Sequence, residues 1–150
     1  MKIEEVMKVT ESHYHLLLEA DPSHELVTEY LQRGRLFEAS IAKKVVGVLV
    51  ILPTRPETLE IVNLAVDEHY RGKGVAQRLL KHALVVAKDA QYKTLEVGTG
   101  STGVEQLYLY QKCGFRMTHI DRDFFVRHYT EPIIDNGLVL KDMVRLSQDI

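Results

Sequence analysis

One junction limits what this 150-residue chain can fold into: an apolar run, LEIVNLAV (59–66), a short polar turn, RGKGVA (71–76), and an amphipathic stretch to Ala90. Leu59 and Ile61 keep one phase of a two-residue repeat, while Val62, Leu64 and Val66 keep the other. A phase change inside a strand calls for a β-bulge near Val62–Asn63. Ala76, Leu79, Leu80, Ala83, Leu84 and Ala87 recur at helical spacing, which predicts a helix over 71–90 with one buried stripe. Gly72 and Gly74 leave the main chain open to close approach by a ligand. The first amides of a helix have no intrahelical acceptor, and the macrodipole places about half a positive charge on them. Such a turn is a site for phosphate or pyrophosphate. From Arg71 to Lys93 six Lys and Arg stand against one acid, Asp89, although the whole chain carries a formal net charge of -2. A local basic segment in a weakly acidic chain suits a small polyanion and argues against general nucleic-acid binding.

The rest of the chain reads as one domain. Thr10 or Ser12 caps a helix to about Ala20, and Asp21-Pro22 starts a second that Gly34 ends, with Asp21 as N-cap. Residues 2–9 are taken as an edge strand. LFEASIA (36–42) alternates, VVGVLVIL (45–52) is apolar on both faces, and Pro53-Thr54-Arg55-Pro56 predicts a loop before the bulged strand. TLEV (94–97) is a further strand, followed by a loop over 98–103. Thr102 and Glu105 have the spacing of a capping box for a helix to about Cys113. Strands near 115–121 and 138–146 complete an order of roughly βααβββαβαββ.

Two segments carry a resemblance. LAVDEHYRGKGVAQRLL (64–80) resembles the acetyl-CoA-binding motif of the GNAT superfamily of N-acetyltransferases, and LYQKCGF (109–115) resembles that family's second signature. The loose pattern Arg/Gln-x-x-Gly-x-Gly/Ala that RGKGVA fits arises by chance in roughly one chain in seven of this length; two motifs in order are far more specific. The resemblance implies a GNAT-like α/β (α+β) fold with a mixed, mostly antiparallel sheet flanked by helices, in a single domain spanning residues 1–150. It implies acetyl transfer from acetyl-CoA, as co-substrate, to a primary amine on a small molecule or peptide, by direct attack in a ternary complex. It places the pantetheine arm along the backbone of Leu64, Ala65 and Val66. It places the pyrophosphate on the amides of Arg71, Gly72, Lys73, Gly74, Val75 and Ala76. Ser101 or Thr102 stands where many members carry an Asn that holds a pantetheine carbonyl. Tyr110 matches the family's tyrosine in this second signature, and its hydroxyl can protonate the departing CoA thiolate. A carboxylate is also needed to take a proton from the amine. Glu60, just before the bulge, is the best-placed acid, with Glu96 and Asp123 behind it. Tyr108 lies about 200° round the helix from Tyr110 and cannot serve the same site.

Two other readings stand beside this one. A CoA-binding or sensor module would keep the pyrophosphate site without turnover. A dinucleotide-binding protein would use Gly98–Gly103, which spells GxGxxG after a strand and before a helix. Against the second, Glu105 puts an acid near the amides that a pyrophosphate would need. Cys113 is the single cysteine, so no disulfide forms within the chain. The histidines show no metal-binding spacing, and no metal is expected. Neither a signal peptide nor an apolar run of eighteen residues is seen, so the expectation is a cytoplasmic protein with no membrane partner. A homodimer is common among similar proteins. Phe124, Phe125 and Tyr129 are assigned to an acceptor pocket, a dimer seam or the core without preference.

Overall fold

Alternation over residues 35–66 builds a meander, and the rest of the molecule is arranged around it. The computed structural model describes all of residues 1–150. Strand β1 (Lys2–Val6) forms one edge. Helices α1 (Glu11–Ala20) and α2 (His24–Arg33) lead into β2 (Arg35–Ile41), β3 (Lys44–Arg55) and β4 (Thr58–Val66). A single 3-10 turn over 68–70 precedes α3 (Val75–Asp89). Then come β5 (Thr94–Gly100), α4 (Val104–Lys112), β6 (Arg116–Asp121), α5 (Phe124–His128), β7 (Ile133–Asp135), β8 (Leu138–Leu140) and β9 (Met143–Asp149). Seven strands make one sheet in the order β1-β2-β3-β4-β5-β9-β6; β7 and β8 form a separate hairpin. Only β4 and β5 run parallel. The mixed, mostly antiparallel sheet flanked by helices is the expected one, with α5 and the β7–β8 hairpin added between its last two strands.

The two faces of the sheet are unequal. Eighteen buried residues, among them Leu49, Ile61, Leu79, Leu80, Leu95 and Phe115, fill the face under α3 and α4. Nine, including Leu17, Val27, Val48 and Val50, fill the face under α1 and α2. The smaller core leaves the α1–α2 face partly open, and the cleft described below occupies that space.

Several local readings change for identifiable reasons. Ser23, rather than Asp21, is the N-cap of α2: its hydroxyl accepts from the Leu26 amide at 3.2 Å. Asp21 is thereby left outside the helix. Thr102 does not cap α4; Gly103 is the N-cap, and the Thr102 hydroxyl donates to Asp135 at 2.7 Å. β3 runs through Pro53 to Arg55, so the predicted loop shrinks to a tight turn around Glu57, whose φ is +63°. Val75, not Ala76, belongs to the fully buried stripe of α3. The strand expected at 138–146 is split by Lys141-Asp142 into β8 and β9.

The segment Gly98-Thr99-Gly100 is strand, paired with Arg145, Val144 and Met143, and not a phosphate loop. A Cβ on Gly100 would stand 2.8 Å from Leu140, and one on Gly98 would stand 2.5 Å from the Met143 sulfur and 3.2 Å from the Arg145 guanidinium. These glycines let neighbouring side chains cross the strand closely. That packing accounts for the first two glycines of the GxGxxG spelling, and the third, Gly103, is the N-cap of α4.

Candidate active site

The bulge creates the site. β3 and β4 pair in step from Gly47–Val66 to Val50–Asn63, and then Ile51 faces Ile61, leaving Val62 as the extra residue. Leu59 and Ile61 pack on the α3 side, whereas Asn63 and Ala65 pack on the α1–α2 side. On the other edge, β4 pairs with β5 only from Thr58 to Ile61. Beyond that point the strands part: β4 bends away at its bulge while β5 stays with β9. Val62 to Val66 therefore present an unpaired backbone edge to a V-shaped gap. A cleft of about 560 Å³ fills this gap and extends under the α1–α2 loop and α5.

At one end of the gap lies the glycine turn. The Asp67 carboxylate accepts from the His69 amide at 2.9 Å, which tightens the turn and holds the carboxyl below its usual range. Gly72 and Gly74 have φ of +75° and +81°, values that L side chains rarely adopt. A Cβ on either would meet nothing within 4 Å. The open space therefore lies in front of them. Gly74 is the N-cap of α3 and supplies no side-chain cap. Arg78 is the first residue of α3 whose amide reaches a carbonyl of this turn, that of Gly74 at 3.1 Å. Arg71, Lys73 and Arg78 take part in no ion pair. Arg71 to Gly74 are exposed, and the turn lies outside the enclosed part of the cleft, which reaches Leu64.

In the middle of the gap stands Tyr110, from α4. It is 5% exposed, packs edge-on against Phe115 with centroids 5.9 Å apart, and lines the cleft. Burial, helped by the neighbouring Cys113, pushes its phenol above the usual range, so it stays protonated. Tyr108 is mostly exposed and points away. The Ser101 amide donates to Asp142 at 2.9 Å, and Asn136 donates to the Thr102 carbonyl at 2.7 Å. Thr102 is thus tied to the β7–β8 hairpin by its hydroxyl and its carbonyl, whereas no protein group engages the Ser101 hydroxyl.

Glu60 lines the cleft but is not a free carboxylate. It lies in register beside Glu96 on β5, and Arg145 from β9 reaches between them: its Nη1 is 3.0 Å from Glu60 and 4.0 Å from Glu96. Glu96 also pairs with Arg55. The four charges alternate, Arg55–Glu96–Arg145–Glu60, so two carboxylates side by side on parallel strands do not repel unopposed. Glu96, 5% exposed, is held inside this chain of ion pairs. Asp123, with φ of +61°, starts α5 away from the cleft lining.

The far end of the cleft comes from segments that sequence patterning did not connect. Phe124, Phe125 and Tyr129 line it. The Tyr129 hydroxyl donates to Asp21 Oδ1 at 2.8 Å and the Tyr30 hydroxyl to Asp21 Oδ2 at 3.2 Å. Asn63, set on this face by the bulge, donates through Nδ2 to the Leu17 carbonyl at 3.0 Å and to the Tyr30 oxygen at 2.8 Å. Asn63, Arg145 and the meeting of Tyr30 and Tyr129 on Asp21 are not legible in the sequence, although Tyr129 is among the residues offered there for an acceptor pocket. The phase change is the signal that could have exposed Asn63; nothing local marks Arg145.

The chain is similar to known proteins over most of its length. The Acetyltransferase (GNAT) family matches residues 4–115. An uncharacterised N-acetyltransferase of Bacillus subtilis (strain 168), YvbK, is 47% identical over 150 residues, covering 100% of this chain and 97% of that one. A Bacillus subtilis acetyltransferase solved in complex with CoA is 48% identical, covers 99% of this chain and 98% of its own, and superposes with a TM-score of 0.95. A GNAT family acetyltransferase from Elizabethkingia anophelis with acetyl-CoA bound is 42% identical, covers 99% and 97%, and also has a TM-score of 0.95.

Proposed function

Because the chain belongs to the GNAT family of acetyltransferases and moves an acetyl group from acetyl-CoA to an amine, we propose a division of labour along its cleft. The carrying observation is the parting of β4 and β5, which leaves one strand edge unpaired and leads to an uncapped helix N-terminus. Leu64, Ala65 and Val66 pair through their backbone with the pantetheine arm as a substitute strand. The amides from Arg71 to Ala76 hold the pyrophosphate, with Arg71 and Lys73 adding charge at the surface. Ser101 donates a hydroxyl to a pantetheine carbonyl in place of the family's usual Asn.

The thioester then lies in the gap between Tyr110 and Glu60, and the acceptor enters from the α1–α2 side. A lysine-like amine of pKa about 10.4 is neutral at pH 7 only about once in 2500, a cost of roughly 4.6 kcal/mol. Glu60 receives the amine's proton through a water. Arg145 fixes one of its oxygens and leaves the other for that water. The neutral amine attacks the thioester carbonyl, the C–S bond breaks, and the thiolate takes the Tyr110 proton. The acetylated nitrogen gives up its surplus proton, which through solvent restores the Tyr110 phenol and leaves a neutral N–H amide, and Glu60 returns to water the proton it took. The single cysteine and absence of disulfides fit a reducing cytoplasm.

Two measurements test this. Calorimetry with acetyl-CoA reports the cofactor site, and CoA thiol release with a panel of primary amines reports transfer. Binding with turnover is expected. Binding without release on any amine would assign the protein to the CoA-sensor class instead.

A further inference from the structure

The acceptor end of the cleft contains hydrogen-bond acceptors with no protein donor left to serve them. Asn63 is 4% exposed; its Nδ2 is engaged twice, while its Oδ1 is buried with no partner. The orientation of this amide is fixed, because the Leu17 carbonyl can only accept. Tyr30 accepts from Asn63, so its own proton goes to Asp21. Tyr129 sends its proton to the same carboxylate from the opposite wall, and the Ser23 amide adds a third bond at 3.1 Å. A carboxylate has about four lone-pair sites, so three donors leave one free. No Lys, Arg or His pairs with Asp21. The one cation lining the cleft, Arg145, lies between Glu60 and Glu96. This end of the cleft is therefore negative, rich in acceptors and walled by tyrosine rings, which suit a cation.

Taking the acetyltransferase reading as its base, we infer that the acceptor is a short di- or polycationic amine. One nitrogen is acetylated, and a second, non-reacting ammonium is held by the free lone pair of Asp21 between Tyr30 and Tyr129. The same walls reject a carboxylate at that end of the acceptor, because Asp21 repels it and no free cation receives it.

The test compares three matched series of three to six carbons: α,ω-diamines, n-alkylamines and ω-amino acids. Each is assayed by CoA thiol release with the wild type and with Asp21→Asn, alongside calorimetric acetyl-CoA binding. The wild type should favour the best diamine over its n-alkylamine by at least tenfold in kcat/KM, mainly through KM, and should use the ω-amino acid least. Asp21→Asn should lose most of the diamine preference and gain several-fold on the ω-amino acid. Misfolding cannot mimic that gain. Equal use of diamine and alkylamine by the wild type, an unchanged preference in Asp21→Asn, or a uniform loss on all three series would each overturn the assignment. Acetyl-CoA binding without acetylation of any diamine overturns the acceptor class and leaves the cofactor site standing. Failure to bind acetyl-CoA overturns both.

Discussion

The two ends of the cleft are built in opposite ways. The end proposed for the cofactor is backbone: a bulged strand edge, two glycines at positive φ and the open amides of α3, all within residues 62–77. The acceptor end is side chain: Asp21, Tyr30, Asn63 and Tyr129 converge from four parts of the chain, and the bond from Tyr129 to Asp21 spans 108 residues. A site made of main-chain amides depends on what is absent from the sequence, namely side chains at Gly72 and Gly74. A site made of side chains depends on which ones meet, and that differs between proteins of one fold.

Substitutions can break this contrast in order of expected size. Tyr110→Phe, at the boundary of the two ends, should lower kcat by about 10²–10⁴-fold with little change in acetyl-CoA affinity. A wild-type rate in single-turnover assays would remove the acid role. Gly74→Asp should weaken acetyl-CoA binding by about 100-fold or more, since it puts a Cβ at φ +81° and an anion before the helix N-terminus. The side chain meets open space, so the melting curve should register only the positive-φ strain of about 1–2 kcal/mol, while calorimetry registers the loss of acetyl-CoA binding. Glu60→Gln should reduce kcat/KM by about tenfold at pH 7 and less near the amine's own pKa. A drop independent of pH would mark Glu60 as a partner for Arg145 only. Asn63→Ala should cost about 1–3 kcal/mol in urea unfolding, because it removes two buried hydrogen bonds, one to the Tyr30 oxygen and one to the Leu17 carbonyl, which keeps only its bond from the Asp21 amide. Ser101→Ala should change the acetyl-CoA dissociation constant least, by less than about threefold.

The pH dependence follows the same division. Burial holds Tyr110 well above the ordinary phenol range. It therefore stays a proton donor through pH 10 and adds no falling limb to the profile below that point. The rate should rise with pH as the amine deprotonates. A fall beginning near pH 8 in kcat would show another group supplying the proton.

How far each element could be read follows its range in sequence. The bulge was legible because the alternation of LEIVNLAV changes phase, and a phase change is a local event. The N-cap of α2 was misread because both Asp21 and Ser23 can accept from a free amide; the tyrosine hydroxyls that hold Asp21 come from elsewhere. Gly98 and Gly100 were read as loop because the reason for glycine there lies in Arg145 and Leu140, across the sheet. Glu60 could be placed in the strand from sequence, but its partner could not, since Arg145 is 85 residues away.

By itself the sequence determined the meander, the bulge, the glycine turn and the helix after it, because period, phase and missing side chains act between neighbours. Only the tertiary structure decided that β4 and β5 part after Ile61, that four charges alternate beneath the gap, and that two tyrosines meet over Asp21. Those features are contacts between strands and loops far apart in the chain, and packing fixes them once the sheet has closed.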